Sequence, residues 1–523
     1  MRKPIVPIIL LMALFSTLMV SSASARTLSL MHKPLTVGAF VSQTVQFNLK
    51  GDDFYDNEAD VNQLLFNFFL EVDYRPHEDW ILYASTLVTY DFIYPVKSDD
   101  DTWDEKKFVN SAETMRLDDE YWQLLKEVHV TWAPRGFLFR LGKQIVSWGE
   151  ADFFRIMDQI NPIDERRGFS DVEFETTIIP IWLLRTEYWP NVQTGWLEEL
   201  GFQFVLNPNA DWIPNQGPGI GNEVGGIWAP AEELPNPLFG LDPIFSPTTY
   251  LGAATEEYGE PDDWDTDYFD YALRMSMMIS GHIVTLNGYY GREKSPEALF
   301  TGIEMVDPVT PAFDIAPNGT TILYPILVGE YPRKKFIGVT WTGDLPWSAS
   351  ALGGVNPTIR TEIRYQFDKL FTDFDQTAFF ESNYLDSMIG VDWKVKWNLL
   401  NPRAYFTISP QFFWNRVISY DNVKEESGNP NATVLNHIDQ DMFTATLYLA
   451  TSYINGKLVP ELAMAYDINN LAWLIIPSVS YQYSNAWQFS LSAAYHEGRN
   501  RNQSLWYFRN KDYIAFKIKY NWN

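Results

Sequence analysis

The chain has 523 residues, 46% hydrophobic, 16% aromatic and 20% charged, with no cysteine and a formal charge of −28. The missing thiols exclude disulfide scaffolds, thiolate metal sites and cysteine nucleophiles. The acidic excess argues against sequence-independent binding to nucleic acid, and 20 Trp, 28 Tyr and 35 Phe argue against disorder.

At the N-terminus, Arg2 and Lys3 precede an almost wholly apolar stretch from Pro4 to Val20, and Ala23-Ser24-Ala25 offers a small-x-small cleavage site. This is the pattern of a secretory signal, so residues 1–25 are expected to be removed and 26–523 to form a single domain. Beyond it the longest apolar runs, such as 178–184 and 471–477, reach seven residues. A spanning helix needs roughly 18 or more.

The recurring pattern is alternation with period two. Val45, Phe47 and Leu49 alternate with Gln46, Asn48 and Lys50; Leu64, Phe66, Phe68, Leu70, Val72 and Tyr74 share a face opposite Asn67, Glu71 and Asp73. Later, Ile359, Thr361, Ile363, Tyr365 and Phe367 alternate with Arg360, Glu362, Arg364, Gln366 and Asp368. Ile389 to Trp397 and Ile514 to Trp522 repeat the arrangement, with Lys394, Lys396, Lys517 and Lys519 on the polar faces. Such alternation marks strands with one apolar and one wet face. Lipid outside and water inside satisfy both faces, and lipid forces the sheet to close.

The predicted strands are 36–49, 62–74, 80–91, 126–132, 137–146, 179–189, 200–207, 268–280, 282–290, 335–342, 358–368, 386–398, 404–415, 441–453, 457–467, 471–483, 486–496 and 512–522. The odd-numbered connections are long, apart from 468–470, and most even ones are short, as expected when both chain ends face the periplasm. The expected fold is therefore all-β: a closed antiparallel transmembrane barrel of about 18 strands, or 16 if a weak hairpin is misread, with long extracellular loops. The last strand resembles the aromatic assembly signal of outer-membrane proteins, displaced by one residue because Asn523 follows Trp522. That resemblance implies the barrel-assembly machinery as a partner and the cell outer membrane as location.

The segment Leu141-Gly142-Lys143-Gln144, followed by Trp148-Gly149-Glu150 and then Asn161-Pro162-Ile163-Asp164-Glu165, is the most distinctive. It lies in the third external connection, the place of the inward-folded constriction loop in general porins. The combination resembles an uncharacterised porin-like outer-membrane family of unknown function, related in type to porins and alginate exporters. The resemblance covers mainly residues 127–190. It implies association with a periplasmic lipoprotein-like partner and an RND-type transporter. If the loop folds inward, Trp148, Glu150, Asp152, Asp158, Asp164 and Glu165 form one side of a constriction. The lumen charges Arg360, Arg364, Lys394, Lys396, Lys517 and Lys519 form the other.

The acidic runs 98–105 and 256–265 lack EF-hand spacing and read as solvated loop, with divalent bridging to lipopolysaccharide as the alternative. Among six histidines there is no H-E-x-x-H, and no G-x-S-x-G or phosphate-binding glycine set occurs. His129 beside Glu127 and His496 beside Glu497 are the only crude hydrolytic candidates. The expected function is a non-enzymatic outer-membrane channel for small or amphipathic solutes, without cofactor or metal. A structural adaptor barrel without its own conductance is the competing expectation.

Overall fold

The computed structural model describes residues 26–51, 59–97, 116–118, 120–152, 154–167, 177–192, 194–217, 232–235, 248–251, 255–304, 314–315, 321–345, 355–372, 378–420, 438–499 and 504–522. The expected signal at 1–25 and the acidic run at 98–105 lie outside them.

Alternating sequence produces the wall. β1 (Lys33–Asn48), β2 (Val61–His77) and β3 (Trp80–Asp91) are followed by the short β4 (Val128–Trp132), β5 (Phe137–Gln144) and β6 (Ile181–Tyr188). Then come β7 (Leu197–Asn207), β8 (Asp270–Ile279), β9 (His282–Arg292), β10 (Arg333–Asp344), β11 (Thr358–Thr372) and β12 (Phe379–Val395). β13 (Phe406–Val417), β14 (Asp441–Ala450), β15 (Leu458–Asp467), β16 (Ala472–Gln482), β17 (Trp487–Glu497) and β18 (Tyr513–Trp522) complete the set. Each pairs with the next, and β18 returns antiparallel to β1, with Ala39 opposite Trp522 and Asn48 opposite Tyr513. The main sheet holds nineteen strands. The one outside the ring, Arg26–Leu30, folds back on residues 33–37 of β1, along the edge that β18 leaves free past Trp522. Eighteen strands therefore close the barrel, and the sixteen-strand alternative falls.

The burial pattern is inverted relative to a water-soluble protein. Ser42, Thr44, Gln46, Asn67, Thr89, Thr285, Thr340, Glu362 and Gln411 are buried on the inner face, whereas Leu273, Ile337, Ile363 and Ile389 are at least 47% exposed on the outer one. An apolar exterior on a sheet without edges is the arrangement a bilayer requires. Near the short turns of β3–β6, the rings of Trp80, Trp132, Phe139, Phe137 and Tyr188 stack in succession at 4.6–6.1 Å. This is the aromatic girdle of a membrane interface.

Three connections differ from expectation. The stretch 369–385, expected as loop, is largely ladder: β11 continues to Thr372 and β12 begins at Phe379. Alternation is lost there because the register slips between Gln366 and Lys369, where Asp368 adopts a φ of 47°. The long connections 208–269 and 293–332 also carry strands, which form a separate six-stranded sheet. In it Thr255–Gly259 runs parallel to Thr321–Glu330, so the backbone of the acidic run starting at Glu256 is partly strand.

Candidate functional site

The connection after β5 enters the barrel and is held at both ends. At its neck, Asn161 donates from Nδ2 to the carbonyls of Gln144 and Ile179, both at 3.0 Å, and accepts from the amide of Val146 at 2.8 Å. The Ile179 amide donates to the Pro162 carbonyl at 2.9 Å, and the Asp164 amide to Thr177 at 2.7 Å. The N-P-x-D segment is thus bridged to the residues just before β6, at Ile163 opposite Ile178, and tied to the end of β5 by the Asn161 side chain. Proline fits at 162 because no donor is required there. Asn161→Ala orphans buried groups at roughly 1–3 kcal/mol each. It is expected to lower the urea midpoint of the folded barrel measurably; an unchanged midpoint would refute this role for Asn161.

The far end is held by two residues of β11. Glu362, fully buried, accepts from the amides of Ala151 at 2.8 Å and Met157 at 3.1 Å, and from that of Glu150. Arg360 donates to both oxygens of Asp152, at 2.9 and 2.7 Å, and to the Glu150 carbonyl, while pairing with Asp392 at 2.8 Å. Gln411 on β13 adds a bond from Nε2 to Asp152 at 2.9 Å. Lys334 on β10 donates to Gln159 and to Glu293, each at 2.6 Å. Within the loop, Asp158 accepts from the Gly149 amide at 2.9 Å and from that of Trp148.

Between these ends the loop has an apolar underside. Trp148, Ile156, Met157 and Ile160 pack with inward side chains of the wall, namely Leu183, Val205, Ala272, Tyr289, Phe336, Met388 and Phe413. Those inward apolar residues would be out of place in a wet lumen; the loop covers them. Each buried side chain contributes about 1.5–3 kcal/mol. Met157 lies against Gly338 of β10, where a Cβ would come within 2.3 Å of its Cε and would push the end of that side chain aside.

The expected constriction residues therefore separate into groups. Trp148 is buried, with its indole N–H donating to Gln203. Asp152 meets Arg360 in direct contact and not across an aperture. Burial, eased by Arg274 and Arg360, holds the Glu150 carboxyl above the usual carboxylate range. Asp164 sits at the neck, bound by Arg166 at 2.9 Å and by Gln123 at 3.1 Å. Burial works against its ionisation, but Arg166 and Arg167 outweigh it and lower its pKa. Glu165 is exposed, and its backbone amide donates to the Gln216 carbonyl at 2.6 Å.

The lumen charges separate as well. Arg364 is buried and paired to Asp386, with Nε at 2.8 Å. Lys394 is an exposed residue near the end of β12, whereas Lys396 lies beyond that strand, 5.0 Å over the Tyr405 ring. Lys517 and Lys519 face inward on β18, opposite Thr44 and Ser42, and Lys519 stands 3.9 Å over Phe40. His129 stacks on Tyr83, and His496 lies 3.5 Å from Asp512. Sequence reasoning missed Asn161, Lys334 and Gln411 as anchors of the loop. Asn161 stood within the recognised motif, and the others stood on polar faces with nothing local to distinguish them.

A closed barrel with a lipid-compatible exterior and a long loop folded into a polar interior is a porin-like outer-membrane protein. Residues 10–218 match the family model described as a protein of unknown function, DUF1302, and this span includes the whole motif region. No curated protein sequence matches the chain. OccAB3 of Acinetobacter baumannii aligns over 93% of this chain and 98% of its own, at 9% identity and a TM-score of 0.45. OpdK of Pseudomonas aeruginosa aligns over 93% and 98%, at 7% and 0.42. OmpF of Salmonella typhi in complex with daunomycin aligns over 94% and 98%, at 10% and 0.35. At these scores the likenesses carry no weight of their own; the barrel rests on its own strand pairing.

Proposed function

We propose that the protein is a passive outer-membrane pore for small or amphipathic solutes, formed by residues 26–523 after loss of the signal at 1–25, with the β5–β6 loop setting its aperture. The observation that supports this most is the double attachment of that loop: Asn161 at the neck, and Glu362 with Arg360 on the far side. A loop anchored at both ends narrows the interior permanently without closing it by unfolding. Inward polar faces solvate the remaining passage, and Lys394, Lys517 and Lys519 bias its field. No covalent chemistry enters this reading. Lipopolysaccharide and the assembly machinery are its membrane partners, and a periplasmic lipoprotein-like protein with an RND-type transporter is the proposed delivery system.

Purified protein in planar bilayers tests the reading. Discrete conductance steps with a non-zero reversal potential in a salt gradient are expected. Deleting residues 150–165 is expected to raise the step size, and an unchanged step would remove the aperture role. A sealed barrel that co-purifies with a transporter would favour the adaptor.

A further inference from the structure

Beside the neck of the loop, where Ile145 and Pro180 stand, the inner wall of β1–β3 holds a recess of about 360 Å³. Register sets its chemistry. On β1 the inward positions Gly38, Phe40 and Ser42 face Glu71, Phe69 and Asn67 of β2, and on the other side Ser42 faces Lys519 of β18. The Phe40 and Phe69 rings stack at 5.3 Å and, with Tyr83, supply the apolar part of the recess. Lys519 leans along the wall and places its Nζ 3.9 Å over the Phe40 ring. The Glu71 carboxylate lies flat on Gly38, where a Cβ would come within 2.7 Å of Oε1. An ammonium and a carboxylate thus stand over successive inward positions of one strand, ~7 Å apart along it.

The other charges at the recess are already engaged or reinforce this polarity. Lys126 donates from Nζ to the Ile178 carbonyl at 3.2 Å, within the neck. Glu127 adds a second carboxylate on the Glu71 side, with its amide bonded to Ser85 Oγ at 3.1 Å and Ser85 opposite Glu71. Tyr83 donates its hydroxyl to Glu71 Oε2 at 2.8 Å, while its ring stacks on His129 at 5.1 Å. Among the described residues none hydrogen-bonds Glu71 Oε1. A second cavity of about 510 Å³ shares Glu71 and Tyr83 with the first and extends to Pro34, Thr36 and Arg75, toward the short β2–β3 turn. The Tyr83–Glu71 pair therefore stands between the recess at the loop and the end of the barrel that carries the short turns.

We propose that the recess is a binding step on the permeation path and that it takes dipeptide-like zwitterions with an aromatic side chain. Two residues of extended chain span about 7 Å, the spacing of the two charges. The solute's carboxylate meets Lys519, its ammonium meets the open oxygen of Glu71, and its ring lies against Phe69 and Tyr83. A singly charged solute gains one of these contacts and is opposed at the other end. A ring-free zwitterion leaves the apolar part of the recess wet. This deepens the pore reading and rests on it.

Single channels in planar bilayers test the site, with glycyl-phenylalanine, glycyl-glycine and N-acetyl-glycyl-phenylalanine added in turn. Glycyl-phenylalanine is expected to interrupt the current in events severalfold longer than those of glycyl-glycine. Glu71→Gln is expected to shorten these events severalfold, yet not those of the acetylated peptide, which has no ammonium. Lys519→Gln is expected to shorten the events of both phenylalanine peptides. Gel heat-modifiability confirms that each variant forms the barrel. Conductance steps without interruptions, events of equal length for the two dipeptides, or insensitivity to Lys519→Gln overturn the site. So does a Glu71→Gln effect that is missing or that falls equally on the acetylated peptide. Absence of conductance steps in the wild-type protein overturns the pore reading itself.

Discussion

Replacing Glu362 by Ala is expected to raise the single-channel conductance severalfold and to make the open level noisy, in a barrel that still folds. One carboxylate accepts from the amides of Glu150, Ala151 and Met157. Its removal leaves three donors without an acceptor in a dry site, at roughly 1–3 kcal/mol each. The neighbouring Arg360–Asp152 pair cannot compensate, because Asp152 is 43% exposed and such pairs contribute only about 0–1 kcal/mol. The loop would then leave its seat, uncover the apolar floor at Phe336 and Phe413, and sample the lumen. Glu362→Gln keeps one acceptor oxygen and should give an intermediate current. Planar-bilayer recording at fixed salt, with gel heat-modifiability confirming the barrel, checks both variants. A conductance equal to wild type in Glu362→Ala would show that the loop does not set the aperture.

Gly142→Ala is expected to abolish assembly. Gly142 lies on β5 with a φ of 137°, a conformation L side chains rarely adopt, and a Cβ there would stand 2.2 Å from the Val128 carbonyl oxygen and 2.7 Å from the His129 Cα. The atoms in the way are backbone, so no rotamer change relieves the clash. β4 must move off β5, and that ladder has only five residue pairs, Val128 to Trp132, to lose. The conformational cost alone is about 1–2 kcal/mol; the steric cost is added to it. The expected result is loss of the heat-modifiable band and accumulation of unfolded chain, scored by gel mobility of membrane fractions. A wild-type yield of folded barrel would contradict this close packing of β4 on β5.

Two elements show how far local pattern carries. β11 was legible from Thr358 to Phe367, where Ile363 faces out and Glu362 and Arg364 face in, as the alternation predicts. Past the slip at Lys369 it was not, because a bulge shifts every later residue to the opposite face. At the site, the motif pointed to the loop that enters the barrel, grouped the acids Asp164 and Glu165 as constriction candidates and passed over Asn161. An acid on a loop looks available for a field, whereas Asp164 is already bound by Arg166 and Gln123. An amide such as Asn161 shows its worth only when three partners surround it.

The sequence by itself determined the class of wall: a closed barrel of about eighteen strands with sixteen left open, which face of each strand meets lipid, and most of the long connections. These follow from side-chain alternation between neighbours along the chain, a property of period two that needs no knowledge of the rest of the fold. The tertiary structure alone decided that the loop lies on an apolar floor and that Glu362 and Arg360 hold it. Those features join residues far apart in the chain, as with Glu150 and Glu362 at a separation of 212. Their partners are selected by barrel closure and register, which bring opposite strands to one interior, and no local pattern encodes that meeting.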